Sequence, residues 1–256
     1  MTLRSLQKWH GAGNDFLIDV VDEPSIPWWN APRARAVCHR AFGVGADGLL
    51  VASIGERVSM VLYNADGSIA EMSGNGIRCL AAAVRRRTNG AWDDVLVETD
   101  AGSRAVSLRM QSDDAGFASV SMGVVAFLDP LEGALGVANV GNPHVVVLDD
   151  ATWTPARCEQ IAEGFTAKVG GANVEFVTVI DETRVRIRVI ERGVGWTLAC
   201  GTGSVATAAI CHREGLTNQE VTVENPGGDL MVKIDPESAS LAGPVQFVAD
   251  VEWLEA

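Results

Sequence analysis

Two stretches decide how this chain folds: SGNGIRCLAAAV at residues 73–84 and CGTGSVATAAIC at residues 200–211. Each reads as a glycine-flanked turn feeding a helix of small apolar residues. Laid one on the other, they bring their neighbours into register. VSMVLYNADG (58–67) falls on VRIRVIERGVG (185–195), with Asn64 over Glu191. GADGLLV (45–51) falls on GANVEFV (171–177), GNDF (13–16) on GNPH (141–144), and VLVETDAG (95–102) on VTVENPGG (221–228). Segments that repeat in the same order at nearly constant offset mark a duplication, and the period is far too long for a solenoid.

Each half reads as short alternating strands. LLVAS (49–53), VSMVLYN (58–64), VLVET (95–99), RAVSLRM (104–110) and ASVSMG (118–123) belong to the first. VVVLD (145–149), VEFVTVI (174–180), RVRIRVIE (184–191) and VTVEN (221–225) belong to the second. Helices are expected over 31–41, 75–87, 155–164 and 202–214. Because turns often separate the strands without an intervening helix, mixed or antiparallel sheets are expected, an α+β class. The break is expected near GVVAFLDP (123–130), giving domains 1–123 and 124–245. A cleft between two related halves is where a small-molecule site is expected.

The composition excludes several functions. The chain has 256 residues, 47% of them hydrophobic, and a net charge of −13. That acidity argues against nucleic acid and against an anionic membrane surface. No apolar run is long enough to span a bilayer, and the N-terminal stretch lacks the apolar core of a signal peptide, so a cytoplasmic protein is expected. The five cysteines (38, 79, 158, 200 and 211) include no CxxC pair, so neither a disulfide scaffold nor a thiolate metal site is expected. Only Cys200 has a context beyond core filling.

The first amides of a helix lack intrahelical acceptors and carry partial positive charge, so both turns are anion sites in waiting. A cysteine at such a threshold is a usable base. Two threshold side chains on opposite faces of an α-carbon could remove and return its proton while backbone donors stabilise the enediolate. That would be racemisation or epimerisation without a cofactor. A plainer reading stands beside it: Ser73 is an N-cap, and Cys200 a packed thiol. The polar groups near the turns are Asn14, Asn64, Asn142, Asn173, Glu191 and Arg192. Each asparagine alone would be a turn residue. Together they suit the distal end of a zwitterion, with arginine taking a carboxylate and glutamate an ammonium. His10 and His144 are read as structural or supporting side chains.

At these residues the sequence resembles the diaminopimelate epimerase family. KWHGAGNDF (8–16), FGVGADGLL (42–50), NADGSIAEMSGNGIRC (64–79), GNPH (141–144) and ERGVGWTLACGTG (191–203) match its signature words, which span residues 8 to about 228. The resemblance implies a pyridoxal-independent isomerase that needs no cofactor or metal and interconverts LL- and meso-diaminopimelate. It implies two pseudo-symmetric domains, each a curved sheet wrapped around a central helix, with segment 246–256 packing on the first domain. It also implies a homodimer. It puts the distal-end binders at Asn64, Asn142, Asn173, Glu191 and Arg192, with Asn14 in the GNDF word. It puts the proximal carboxylate cradle at Gly74, Asn75, Gly201 and Thr202, and one catalytic cysteine at Cys200. The family's other catalytic cysteine falls on Ser73, and a glutamate of its pattern falls on Trp196. The serine implies an impaired epimerase. Two alternatives remain: a dehydratase or racemase of the same fold acting on another amino or imino acid, and a non-catalytic amino-acid binder.

Overall fold

The computed structural model describes residues 3–22 and 28–254. The chain divides into two compact units, Met1–Val120 with Gly243–Ala256, and Ser121–Ala242. The first begins with β1 (Leu3–Gly11), β2 (Asn14–Asp22), α1 (Ala31–Cys38) and β3 (Gly48–Ile54). It continues through β4 (Val58–Asn64), β5 (Ile69–Ala70), α2 (Gly74–Arg87), β6 (Asp94–Thr99), β7 (Gly102–Met110) and β8 (Ala115–Gly123). Next come β9 (Ala126–Phe127), β10 (Gly136–Asn139), β11 (Pro143–Leu148), α3 (Pro155–Val169) and β12 (Asn173–Asp181). The chain ends with β13 (Arg184–Glu191), β14 (Gly195–Thr197), α4 (Gly201–Arg213), β15 (Glu220–Asn225), β16 (Gly228–Asp235) and β17 (Ser238–Leu254).

The strand pairing repeats. In the first unit β1–β2 is antiparallel, β2–β3 parallel across α1, β3–β4 antiparallel, β4–β6 parallel across α2, and β6–β7 antiparallel. In the second, β10–β11 is antiparallel, β11–β12 parallel across α3, β12–β13 antiparallel, β13–β15 parallel across α4, and β15–β16 antiparallel. The same pairing sequence twice is the structural form of the repeated words. In β17, residues 238–242 pair with β16, and residues 246–254 pair antiparallel with β1. Residues 255 and 256 of the C-terminal segment lie outside the described residues.

Each sheet curls round one helix because that helix has no polar face to offer water. From Gly74 to Val84 every residue of α2 is buried, and α2 touches β1, β2, β3, β6 and β7. In α4 Gly201, every residue from Gly203 to Cys211 and nothing charged among them is buried, and α4 touches β10 to β13, β15 and β16. Small residues such as Ala81, Ala82, Ala83, Ala206, Ala208 and Ala209 let strands approach from all sides. Arg85, Arg86 and Arg87 end α2, where cations favour the helix dipole and their heads reach solvent.

The helices fall close to their expected places, with two differences. The first stops at Cys38 instead of 41, because the following loop folds back: the Val44 and Gly45 amides both donate to Val37 O. A side chain at Gly43 would collide with Ala36 O, so only glycine fits there. The third helix runs on to Val169, through Gly164, and ends at Gly170 in the left-handed conformation (φ 75°). Strands β1, β2, β5, β9, β10, β14, β16 and β17 have no counterpart in the alternation. Lys8 and His10 interrupt the apolar period of β1, and β17 is buried on alternate residues only to Val245. No helix among the described residues is long and apolar enough to cross a membrane.

Leu80 is fully buried at the centre of α2. Leu80→Ala is expected to cost about 2–5 kcal/mol of stability, from lost transfer energy and the cavity left behind. Urea unfolding of the two proteins would measure it, and a cost under about 1 kcal/mol would contradict the placement of α2 as the core.

Candidate active site

The two helix starts are built alike. Ser73 caps α2 in extended conformation, its Oγ accepting from the Gly76 amide at 3.1 Å. Cys200 caps α4 in the same conformation, its Sγ accepting from the Gly203 amide at 3.4 Å. Each threshold side chain is therefore the cap, which is the plainer reading of Ser73. The second glycine of each turn serves packing. A Cβ on Gly76 would lie 3.1 Å from Ser73 Cβ and 3.2 Å from Phe16 Cζ. A Cβ on Gly203 would collide with Glu175 Oε1.

Around the first turn the polar groups form one chain. Buried Asn75 donates through Nδ2 to Asn14 Oδ1 at 3.3 Å, and Asn14 donates to Asp47 Oδ2 at 2.7 Å. Asp47 and Asp15 share Arg40, whose Nη2 lies 2.8 Å and 2.6 Å from them, and Lys8 pairs with Asp15 at 2.9 Å. Burial works against the Asp15 carboxylate, but the hydrogen bonds from Arg40 and Lys8 outweigh it and bring its pKa below the usual value. Asn64, at the exposed end of β4, donates to Ser68 Oγ at 3.0 Å. His10 Nδ1 accepts from the Gly13 amide at 3.4 Å and closes the β1–β2 turn.

The second turn sits in a denser arrangement. His144, fully buried, has Nδ1 2.8 Å from Glu175 Oε1 and Nε2 2.9 Å from Asn142 Oδ1. Asn173 directs Nδ2 towards Cys200 Sγ at 3.8 Å and accepts from the Arg192 amide at 2.9 Å. Glu191 accepts from Thr197 Oγ1 at 2.6 Å. Burial raises the Glu191 carboxyl, Thr197 opposes it, and the neighbouring Glu175 charge adds to it. Burial, then the charges of Glu191 and Glu175, hold the Cys200 thiol well above its ordinary pKa; Thr202 Oγ1 at 3.5 Å and the Gly203 amide oppose them. A thiol so placed is neutral at rest and a strong base once ionised.

His144, Glu175 and Cys200 offer donor atoms within 4.8 Å of one another. Yet two ligands on one tetrahedral zinc stand about 3.3 Å apart, given metal–ligand bonds of about 2.0 Å. The 2.8 Å between His144 and Glu175 is the separation of a hydrogen-bonded pair. The geometry is that of a carboxylate fixing an imidazole.

Within the first unit, then, Asn14, Asn75, Gly74 and Ser73 come together, while Asn64 bonds locally. Within the second, Asn142, Asn173, Glu191, Cys200, Gly201 and Thr202 surround one turn; Arg192 reaches it through its amide, and its exposed side chain lies over Gly171. Trp196 turns away: its Nε1 donates to Glu159 on α3 at 2.8 Å, and its ring lies 6.3 Å from that of Phe176. Two buried charges behind these turns went unnoticed in the sequence, Glu175 and Arg78. Each is a single charged residue inside an apolar run, which was the available signal.

The family model for diaminopimelate epimerase matches residues 6–128 and 136–248. A diaminopimelate epimerase from Clostridium perfringens is 34% identical over 268 residues, covering 96% of this chain and 98% of that one. One from Rhodococcus opacus is 38% identical over 276 residues, covering 94% of each. Among solved structures, a hydroxyproline epimerase from Agrobacterium vitis superposes with a TM-score of 0.72 at 14% identity, over 98% of this chain and 92% of that one. A phenazine biosynthesis protein from Bacillus anthracis does so with a TM-score of 0.74 at 15% identity, over the whole of both chains. These last two share the fold.

The charges facing Cys200 are Glu191 and Glu175, with His144 beyond them. Removing one negative neighbour favours the thiolate, so Glu175→Gln is expected to move alkylation of Cys200 by iodoacetamide to lower pH. Peptide mass spectrometry across a pH series reads this directly. A midpoint that stays or rises would show that the Glu175 charge does not act on the thiol.

Proposed function

The chain belongs to the diaminopimelate epimerase family, and from that premise we propose that it acts on diaminopimelate itself, interconverting the LL and meso forms by moving the α-proton without a cofactor. The observation that carries this reading is Cys200: a buried thiol at a helix N-terminus, touched by Thr202 and the Gly203 amide and faced by two carboxyls. Gly74, Asn75, Gly201 and Thr202 hold the proximal carboxylate. Asn64, Asn142, Asn173, Glu191 and Arg192 hold the distal amino-acid end, with Asn14 bracing Asn75. A homodimer working in the cytoplasm, with its catalytic side chains drawn from residues 1–123 and 124–245, completes the proposal.

The Cys200 thiolate takes the α-proton and becomes a thiol. The electron pair left on carbon spreads into the carboxylate as an enediolate, stabilised by helix-start amides. Inversion then requires a proton from the opposite face, a role that falls to position 73. A serine hydroxyl can give a proton sluggishly, but its alkoxide is not populated near neutral pH, so Ser73 cannot start the reverse reaction. The protein therefore labels one face far faster than it inverts.

In heavy water, the stereoisomer presenting its α-hydrogen to Cys200 is expected to exchange that hydrogen with retention, while inversion lags. Ser73→Cys should speed inversion by about 10²–10⁴-fold, the usual worth of a placed acid–base group. Proton NMR follows the exchange, and chiral chromatography follows the inversion. No gain from Ser73→Cys together with no loss from Cys200→Ser would defeat the two-residue mechanism. One observation, the single thiol at the two turns, favours a second reading in which Cys200 removes a proton and a β-hydroxyl leaves as water; a dehydrated product from a β-hydroxylated amino acid, in parallel NMR tubes, would identify it.

A further inference from the structure

Arg78 lies one turn into α2 and is 0% exposed. Its Nη1 donates to Gly74 O at 3.0 Å, but Nε and Nη2 have no partner. Among the described residues no carboxylate pairs with it. Even the strand beside it makes room: a Cβ on Gly11 would lie 3.3 Å from Nη2. Burial draws the guanidinium pKa down to about 10, which leaves it cationic at neutral pH. Burying a cation without a counter-charge is costly, and buried charges are as a rule paired. A charge left so incomplete needs a reason.

Helical side chains lean towards the N-terminus, and the bond to Gly74 O fixes the guanidinium alongside the first turn. Its field therefore adds to the partial positive charge of the helix start. The duplicated turn lacks this device. Val205 occupies the matching helical position, and the buried charge behind Gly203 is a carboxylate, Glu175, where the first unit has Leu49.

We propose that Arg78 is a positioning residue whose counter-charge is the ligand: an anion bound at the Ser73–Asn75 turn completes a buried ion pair that the free protein leaves open. That this anion is the α-carboxylate of diaminopimelate rests on the function proposed above; the anion site itself does not.

The test compares native protein with Arg78→Met, Arg78→Gln and Arg78→Lys. Calorimetry with meso-diaminopimelate should show Met and Gln weakening binding by about tenfold or more, with Lys recovering a large part of it. Without ligand, Arg78→Met should melt no lower than native, since an unpaired buried cation has been removed. Sodium sulfate should raise the native Tm over sodium chloride at equal ionic strength by more than it raises that of Met or Gln, whose smaller rise is sulfate's general stabilising effect. Native-like binding and a native-like sulfate response in these variants would overturn the proposal, as would loss of binding that merely tracks loss of Tm. If Met does not fold, the Gln and Lys pair decides, because they differ in charge. A native protein that responds to sulfate through Arg78 yet ignores diaminopimelate would sink the substrate assignment and leave this inference standing.

Discussion

The rest of the structure depends on one short contact made twice, the acceptance of a backbone amide by the side chain three residues before it. Ser73 does this for α2 and Cys200 for α4. The contact starts a helix that is buried on all sides, so an uncapped amide there could not turn to water. It also fixes where the threshold atom stands, beside the remaining free amides. Capping and chemistry thus draw on the same residue. A sequence that keeps the helix start keeps the anion site as well, whatever atom does the capping.

The duplication is faithful in topology and unequal in charge. Pairing order, crossover helices and caps repeat from unit to unit, because a curled sheet around an apolar helix tolerates little change in backbone. The buried charges do not repeat. Behind one turn stands an arginine with two unsatisfied nitrogens; behind the other stands a glutamate bonded to a histidine. The cation makes its turn better at holding an anion. The carboxylate makes its turn's thiol harder to ionise and so, once ionised, a stronger base. The same frame thus carries opposite buried charges through single core residues, Arg78 in one unit and Glu175 in the other.

What was readable in the sequence was whatever repeats or has a period. The doubled words placed α2 and α4, and apolar alternation, nearly a direct image of a strand buried on one face, placed β3, β4, β6 to β8, β11 to β13 and β15. What escaped was decided by partners distant in the chain. Residues 246–254 are strand because β1 is there to pair with them. Glu175 reads as a polar break within VEFV, and only the fold sets His144 2.8 Å from it. Gly203 is in the sequence only the last letter of a turn word, and the fold shows the space beside it filled by Glu175. The candidate polar groups around each turn were recovered from their words, but not their bonding: Arg192 acts through its amide, and Trp196 packs on Phe176 and α3.

Ser73 gains meaning from the same geometry. An oxygen cap is shorter than a sulfur one, 3.1 Å against 3.4 Å here, and hydroxyls are among the favoured helix caps. Sulfur is the poorer acceptor, so a cysteine at such a position gives up part of the cap, and it is kept for what a hydroxyl cannot do, which is to ionise. The serine at position 73 reverses that choice within an intact frame. Asn75 still reaches Asn14, Arg78 still waits behind the turn, and Gly76 still packs on Phe16. Under the proposed function the change lies in one atom's acidity, while the serine supplies the shorter cap.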